Sequence, residues 1–146
     1  MKKIFALSLF TLLAAAVFAG PTEVNEKVLK SFKETFTNAE QVKWNESGNS
    51  YSVRFLQGDV RYIVYYDKKG SIINSMRFYQ PALLPAHILR ALQHSYSRQT
   101  AFGVTEITSG EDIAYFVKLE DSKYWYTVRF DSNGEGEVYE RLKKQS

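Results

Sequence analysis

The chain has 146 residues and a formal net charge of +3, which falls to about +1 once Lys2 and Lys3 of its N-terminal segment are set aside, so net charge gives no nucleic-acid field. It has no cysteine, which excludes thiol chemistry, thiolate metal sites, disulfides and a lipidated N-terminal cysteine. Ten Tyr, ten Phe and two Trp suit a strand-rich protein, and one that binds with its surface.

The first elements are addressing signals. Lys2 and Lys3 precede a nearly continuous apolar run, Ile4 to Phe18, that ends in small residues. This predicts a secretory signal peptide over 1–19, cleaved after Ala19. The run is short for a membrane span and has no stop-transfer flank. The expected product is therefore periplasmic or secreted, with no membrane anchor after cleavage.

Apolar residues at helical spacing, Val24, Val28, Leu29, Phe32 and Phe36, predict a helix over 24–37, with Thr22 or Asn25 as its cap. Strand signals follow at 41–46, 51–56, 60–66 and 71–79, separated by Gly-containing turns. Pro85 opens a second predicted helix, PAHILRALQHSY, with Ile88, Leu92 and Tyr96 as its stripe. Four more strands are expected at 103–109, 113–120, 124–130 and 136–142.

The second half rewrites the first. YIVYYDKKG (62–70) returns as YTVRFDSNG (126–134), and Tyr51, Val53 and Phe55 return as Tyr115, Val117 and Leu119. The expected fold class is α+β: two tandem repeats, each a helix plus a four-stranded antiparallel sheet, with the helices packed on one sheet face. The repeats are placed at 20–80 and 81–146. The shared positions 51, 53, 62, 64 and 66 mark the face under the helices, where packing restricts substitution.

The stretch FTNAEQVKWNESGNSYSVRF, followed by YYDKKG, resembles the PepSY-like, or β-lactamase-inhibitor-like, periplasmic proteins of bacteria. The resemblance rests on the Asn38-Ala39 joint, the Val42-x-Trp44 strand, the Tyr-x-Val-x-Phe strand and the Asp-x-x-Gly hairpin. It covers both repeats and implies a fold rather than a chemistry. In the namesake inhibitor an aromatic-rich concave sheet face covers an enzyme. Related PepSY domains occur in peptidase propeptides, where an inhibitory role is proposed. No inhibitory residue of that family carries over to this sequence.

Catalytic and metal motifs are not found. His87 and His94 stand seven apart on the second helix, too far for the i,i+4 pair that grips zinc. The Asp131–Glu137 loop is rich in oxygen donors, but its twelfth position from Asp131 is Leu142 and its flanks read as strands, so it is a hairpin turn rather than a calcium loop. No nucleophile elbow, catalytic set, cofactor motif or metal site is expected.

The remaining feature is the sheet face turned away from the helices. Alternation assigns to it Arg54, Arg61, Ile63, Tyr65, Ile73, Arg77 and Tyr79 from the first half. The second half supplies Phe116, Lys118, Trp125, Arg129, Tyr139 and Arg141. Arg54, Arg61, Tyr65, Arg77, Phe116, Trp125, Arg129 and Tyr139 are the candidate binding residues, because Tyr, Trp and Arg dominate interface hot spots. The expected function is a non-enzymatic exported binding module that inhibits or senses a secreted or periplasmic protein. The alternative is a small-ligand or cell-envelope glycan binder using the same aromatics. No nucleic-acid partner is expected.

Overall fold

The computed structural model describes residues 23–145, so the signal-peptide expectation lies outside the described residues. Helix α1 (Glu26–Thr35) is capped by Asn25, whose side chain accepts from the Lys27 N–H at 2.9 Å. Helix α2 (Ala86–Ser95) follows Pro85, which fixes the entry angle but supplies no side-chain cap. Val28 and Phe32 on α1, and Ile88 and Leu92 on α2, are buried at i,i+4 spacing.

Eight strands account for most of the rest: β1 (Glu40–Ser47), β2 (Ser50–Gln57), β3 (Val60–Asp67), β4 (Ile72–Tyr79), β5 (Thr100–Ser109), β6 (Asp112–Glu120), β7 (Tyr124–Asp131) and β8 (Gly136–Lys143). A 3-10 turn, Pro81–Leu83, joins β4 to α2. The strands pair antiparallel in chain order, β1 to β8, as a single sheet.

That sheet overturns the expected fold class. Among the described residues the chain forms not two tandem four-stranded repeats but one eight-stranded antiparallel sheet with two α-helices. The joint is β4 on β5, in register from Asn74 opposite Ser109 to Tyr79 opposite Val104. Two separate four-stranded sheets would present four open edges of unpaired backbone N–H and C=O groups. Joining them removes two of those edges, leaving β1 and β8.

The joint also explains a shift in the sequence offset. The helices begin 60 residues apart, at Glu26 and Ala86, whereas Tyr51 and Tyr115 stand 64 apart in β2 and β6. The four extra residues lengthen the β5–β6 hairpin, which turns at Gly110 rather than at the position matching Gly48. The added length gives Thr108 and Ser109 to the pairing with β4. The second helix stripe thus matches the first at 60 residues: Ile88 with Val28, Leu92 with Phe32, Tyr96 with Phe36.

Two apolar clusters lie on one face of the sheet. One joins Val28 and Phe32 to Tyr51, Val53, Phe55, Val64 and Tyr66. The other joins Ile88 and Leu92 to Val104, Tyr115, Val117, Leu119, Val128 and Phe130. Each fully buried Val, Leu or Phe contributes about 1.5–3 kcal/mol by removal from water. The first cluster is the more aromatic, with Phe32 edge-on to Trp44 and to Phe55, both at 5.2 Å, and Phe55 stacked on Tyr62 at 4.8 Å. Between the clusters, the same face of β4 and β5 carries Ser75, Arg77, Glu106 and Thr108.

Candidate binding face

The face away from the clusters is built by strand register. One row of partners crosses the sheet as Lys43, Arg54, Ile63, Met76, Ile107 and Ala114. The next runs Leu56, Arg61, Phe78, Thr105, Phe116, Arg129 and Glu137. Side chains alternate along each strand, so each row lies on one face.

Seven of the eight candidate residues lie on this face. Arg54 is exposed between Lys43 and Ile63. The Arg61 guanidinium sits 4.5 Å over the Phe78 ring. Tyr65 is half-buried between Ser52 and Asn74. Phe116 meets Tyr139 edge-to-face at 5.3 Å. Arg129 pairs with Glu137 at 3.3 Å. Trp125 is 45% exposed, its indole N–H donating to Glu120 at 3.3 Å and its ring 5.4 Å from the Lys144 ammonium. Tyr139 is 67% exposed.

Arg77 is placed on the opposite face, as are Tyr79 and Arg141. The Arg77 guanidinium bonds both oxygens of Glu106, at 3.0 and 3.3 Å, and lies over the Tyr62 and Tyr79 rings. The Tyr79 hydroxyl donates to Glu106 at 2.6 Å. Burial, then the bonded Glu106 carboxylate, push the Tyr79 hydroxyl well above its usual range. Burial by itself would lower Arg77, but the Glu106 charge reverses the sign and its pKa is raised. Arg141 lies 3.8 Å over the Tyr124 ring and pairs across from Tyr126.

Beta-bulges and an inverted polarity on β4 account for these placements. The register slips between Tyr65 and Tyr66, leaving Ile73 out of the pairing and exposed. Further along, β4 turns Ser75 and Arg77 toward the gap between the helices and Met76 and Phe78 to the outside. Alternation assumes an apolar cover on the helix side, which the gap does not supply. Met76, Phe78, Ile107, Lys43 and Leu142 therefore belong to the face although sequence reasoning did not assign them there. The Ser75/Arg77 polar pair beside Met76/Phe78 was the available signal.

Two depressions mark the face. One of about 430 Å³ lies among Leu56, Arg61, Phe78, Gly103 and Lys118. Gly103 has no heavy atom within 4 Å of where a Cβ would stand, so its missing side chain leaves that space open. The other, about 550 Å³, is floored by Ile107, Ala114 and Phe116 and edged by Asp112, Arg129 and Asp131. Among the described residues no three His, Asp or Glu side chains gather as a metal site. His87 instead bonds the Ser132 carbonyl at 3.0 Å, tying α2 to the β7–β8 turn. Among the described residues no helix is long and apolar enough to cross a membrane.

No family model matches the chain, and no curated protein matches it. Solved structures match its fold, which is that of the BLIP-like proteins. A BLIP-like protein from Bacteroides fragilis superposes with a TM-score of 0.64 at 16% identity, over 85% of this chain and 89% of that one. A protein from Bacteroides eggerthii described as periplasmic gives a TM-score of 0.62 at 16% identity, covering 82% of this chain and 88% of its own. A DUF2874 family protein from Bacteroides ovatus gives 0.62 at 14% identity, covering 82% and 87%. At these identities the likeness is one of fold.

Proposed function

We propose that this protein is an exported, non-enzymatic binding module that grips another extracytoplasmic protein through the open sheet face, inhibiting or sensing it. The carrying observation is two apolar pairs on the solvent face at the β6–β8 end, Trp125 opposite Leu142 and Tyr139 against Phe116, with the polar Lys118–Thr127–Glu140 row between them. Large apolar side chains on a solvent face reduce solubility, and Trp, Tyr and Phe are enriched at interfaces. The BLIP-like fold, the neighbour described as periplasmic and the N-terminal signal pattern support an extracytoplasmic location. The PepSY-like resemblance is consistent with the same role.

Affinity capture from periplasm and medium, with the exported chain as bait, tests this reading. A protein partner retained by the wild type and lost by Trp125→Ala with Tyr139→Ala is expected, both variants keeping their circular dichroism. A partner retained equally by wild type and variants places binding elsewhere. A second reading, small-ligand or glycan binding, draws on the depression of about 550 Å³ beside Phe116. It expects a thermal shift with envelope saccharides and an empty protein capture.

A further inference from the structure

The two halves of the open face handle charge differently. On the β6–β8 half every cation has a local carboxylate: Arg129 with Glu137 at 3.3 Å, Lys118 with Glu140 at 3.9 Å, Lys144 with Glu120 at 2.8 Å. The β1–β3 half carries Lys43, Arg54 and Arg61, and among the described residues none of the three is in an ion pair. Lys43 and Arg54 are direct cross-strand partners. Arg61 is diagonal to Arg54, two residues before its partner Ile63.

Like charges directly opposite on antiparallel strands destabilise the pair. All three side chains are exposed, and only Arg61 has an aromatic partner, Phe78. Two carboxylates stand beside the cluster, Glu40 opposite Leu56 and Asp59 lining the same depression as Arg61, and among the described residues neither forms an ion pair with the three cations. The cluster's mutual repulsion is thus not relieved by an ion pair. Beside the cluster the same rows continue into Ile63, Met76 and Phe78, a narrow apolar strip.

We infer that the β1–β3 half of the open face receives a carboxylate-bearing segment of a partner polypeptide, with its acidic side chains on Lys43, Arg54 and Arg61 and its apolar ones on Ile63, Met76 and Phe78. This rests on the sheet-face reading and specifies the partner's chemistry. Two of the three cations are arginines, whose planar fork matches a carboxylate bidentately. A second copy of this chain is a poor occupant, because Glu120, Glu137 and Glu140 on its own face are already engaged by neighbouring cations. A sulfated glycan is also a poorer fit, since it would track along cations, and this face becomes acid-containing beyond β5.

The test is a backbone-amide NMR titration of the full chain with a peptide of alternating Glu and Leu, with heparin and poly-L-lysine in parallel arms. The peptide is expected to move the resonances of Lys43, Arg54, Arg61 and Ile63, more weakly as salt rises. Reversing Arg54→Glu with Arg61→Glu is expected to weaken binding on the order of tenfold or more while spectral dispersion is kept. Lys43→Glu serves as a second reversal that leaves the Arg61–Phe78 contact intact. Absence of peptide shifts on β1–β3, or equal binding by the reversed variants, overturns the inference. Tighter heparin binding at the same residues overturns it in favour of a sulfated glycan. Concentration-dependent shifts there without any probe, with a dimer in sedimentation, overturn it in favour of a second copy. Peptide shifts confined to Trp125 and Tyr139 overturn it while leaving the sheet-face reading standing, and shifts confined to the helices overturn both.

Discussion

The Tyr66 hydroxyl is buried in the first cluster without a hydrogen-bond partner in the protein, although its ring is fully enclosed beneath α1. A stranded buried hydroxyl costs about 1–3 kcal/mol, while its ring contributes packing that Phe would keep. The matching position in β7 is Phe130, equally buried and with no such hydroxyl. Tyr66→Phe is therefore expected to stabilise the protein by about 1 kcal/mol in urea denaturation at neutral pH. Burial also pushes the Tyr66 hydroxyl up to about 12, against about 10 in an unfolded chain. A raised folded pKa means that the stability present below pH 10 is lost as the pH climbs from about 10 through 12. The advantage of Tyr66→Phe should widen across that window. A variant that is less stable at neutral pH would mean that the hydroxyl has a bonded water as partner.

At the scale of elements, the recurrent Asp-x-x-Gly hairpin has a full structural explanation. Asp67 Oδ1 accepts from the Lys69 and Ser71 N–H groups at 2.9 Å, and Asp131 Oδ1 accepts from Asn133 and Glu135 at the same distance. The backbone bonds from Ser71 and Glu135, the largest causes, hold the two carboxyls below their usual range. Each turn's contribution is thus present above the ordinary Asp range and lost as pH falls through the lowered value. Gly70 and Gly134 both stand at φ +90°, but their surroundings differ. A Cβ on Gly70 would lie 2.8 Å from the Lys27 carbonyl oxygen, whereas one on Gly134 would meet only side-chain carbons, the nearest Ala91 at 3.7 Å. Both alanine variants bear backbone strain of about 1–2 kcal/mol, and Gly70→Ala must also push the β3–β4 turn off α1. Thermal melts should rank Gly70→Ala below Gly134→Ala, with equal losses ruling out the Lys27 contact as the cause. Sequence reasoning found β2, β3, β6 and β7 closely because each has one face under an apolar cluster, so alternation and burial coincide. It failed on β4, where the helix-side face is polar. It gave β5 a start at 103 rather than Thr100, because a bulge between Ala101 and Gly103 interrupts the pattern. The candidate site inherited those errors: residues on β2, β3, β6 and β7 were assigned to the correct face, and Arg77 on β4 was not.

At the scale of the whole molecule, the question is what makes two apolar clusters one folding unit. The clusters share no buried residue, and the strip between them is polar. Three features cross it. Val60 and Tyr79 of the first half pack into the second cluster, and the backbones of β4 and β5 pair. The third is the group of Arg77 and Tyr79 from β4 on the Glu106 carboxylate from β5, which is only 7% exposed. No stretch of sequence announced this joint, because its members lie 27 and 29 residues apart and become neighbours only when the two hairpin systems meet. A nearly buried carboxylate held by an Arg and a Tyr adds less net stability than its distances suggest, since both charges lose water. Removing only one partner is costlier: Glu106→Ala leaves the Tyr79 hydroxyl and a half-buried guanidinium without their acceptor. With Arg77 partly solvated, a loss of about 2–3 kcal/mol is expected, below the range for a fully buried pair. Arg77→Met with Glu106→Leu should recover most of it, because the joint then packs without a charge to compensate. Urea unfolding followed by both Trp44, in the first cluster, and Trp125, on β7, should show one transition in the wild type and in the double variant. Glu106→Ala is where that coincidence should first fail, with the two probes separating as the halves lose their coupling. Coincident probes in Glu106→Ala would assign the coupling to the β4–β5 backbone ladder and the packing of Val60 and Tyr79 into the second cluster, and make the buried group a device of local specificity.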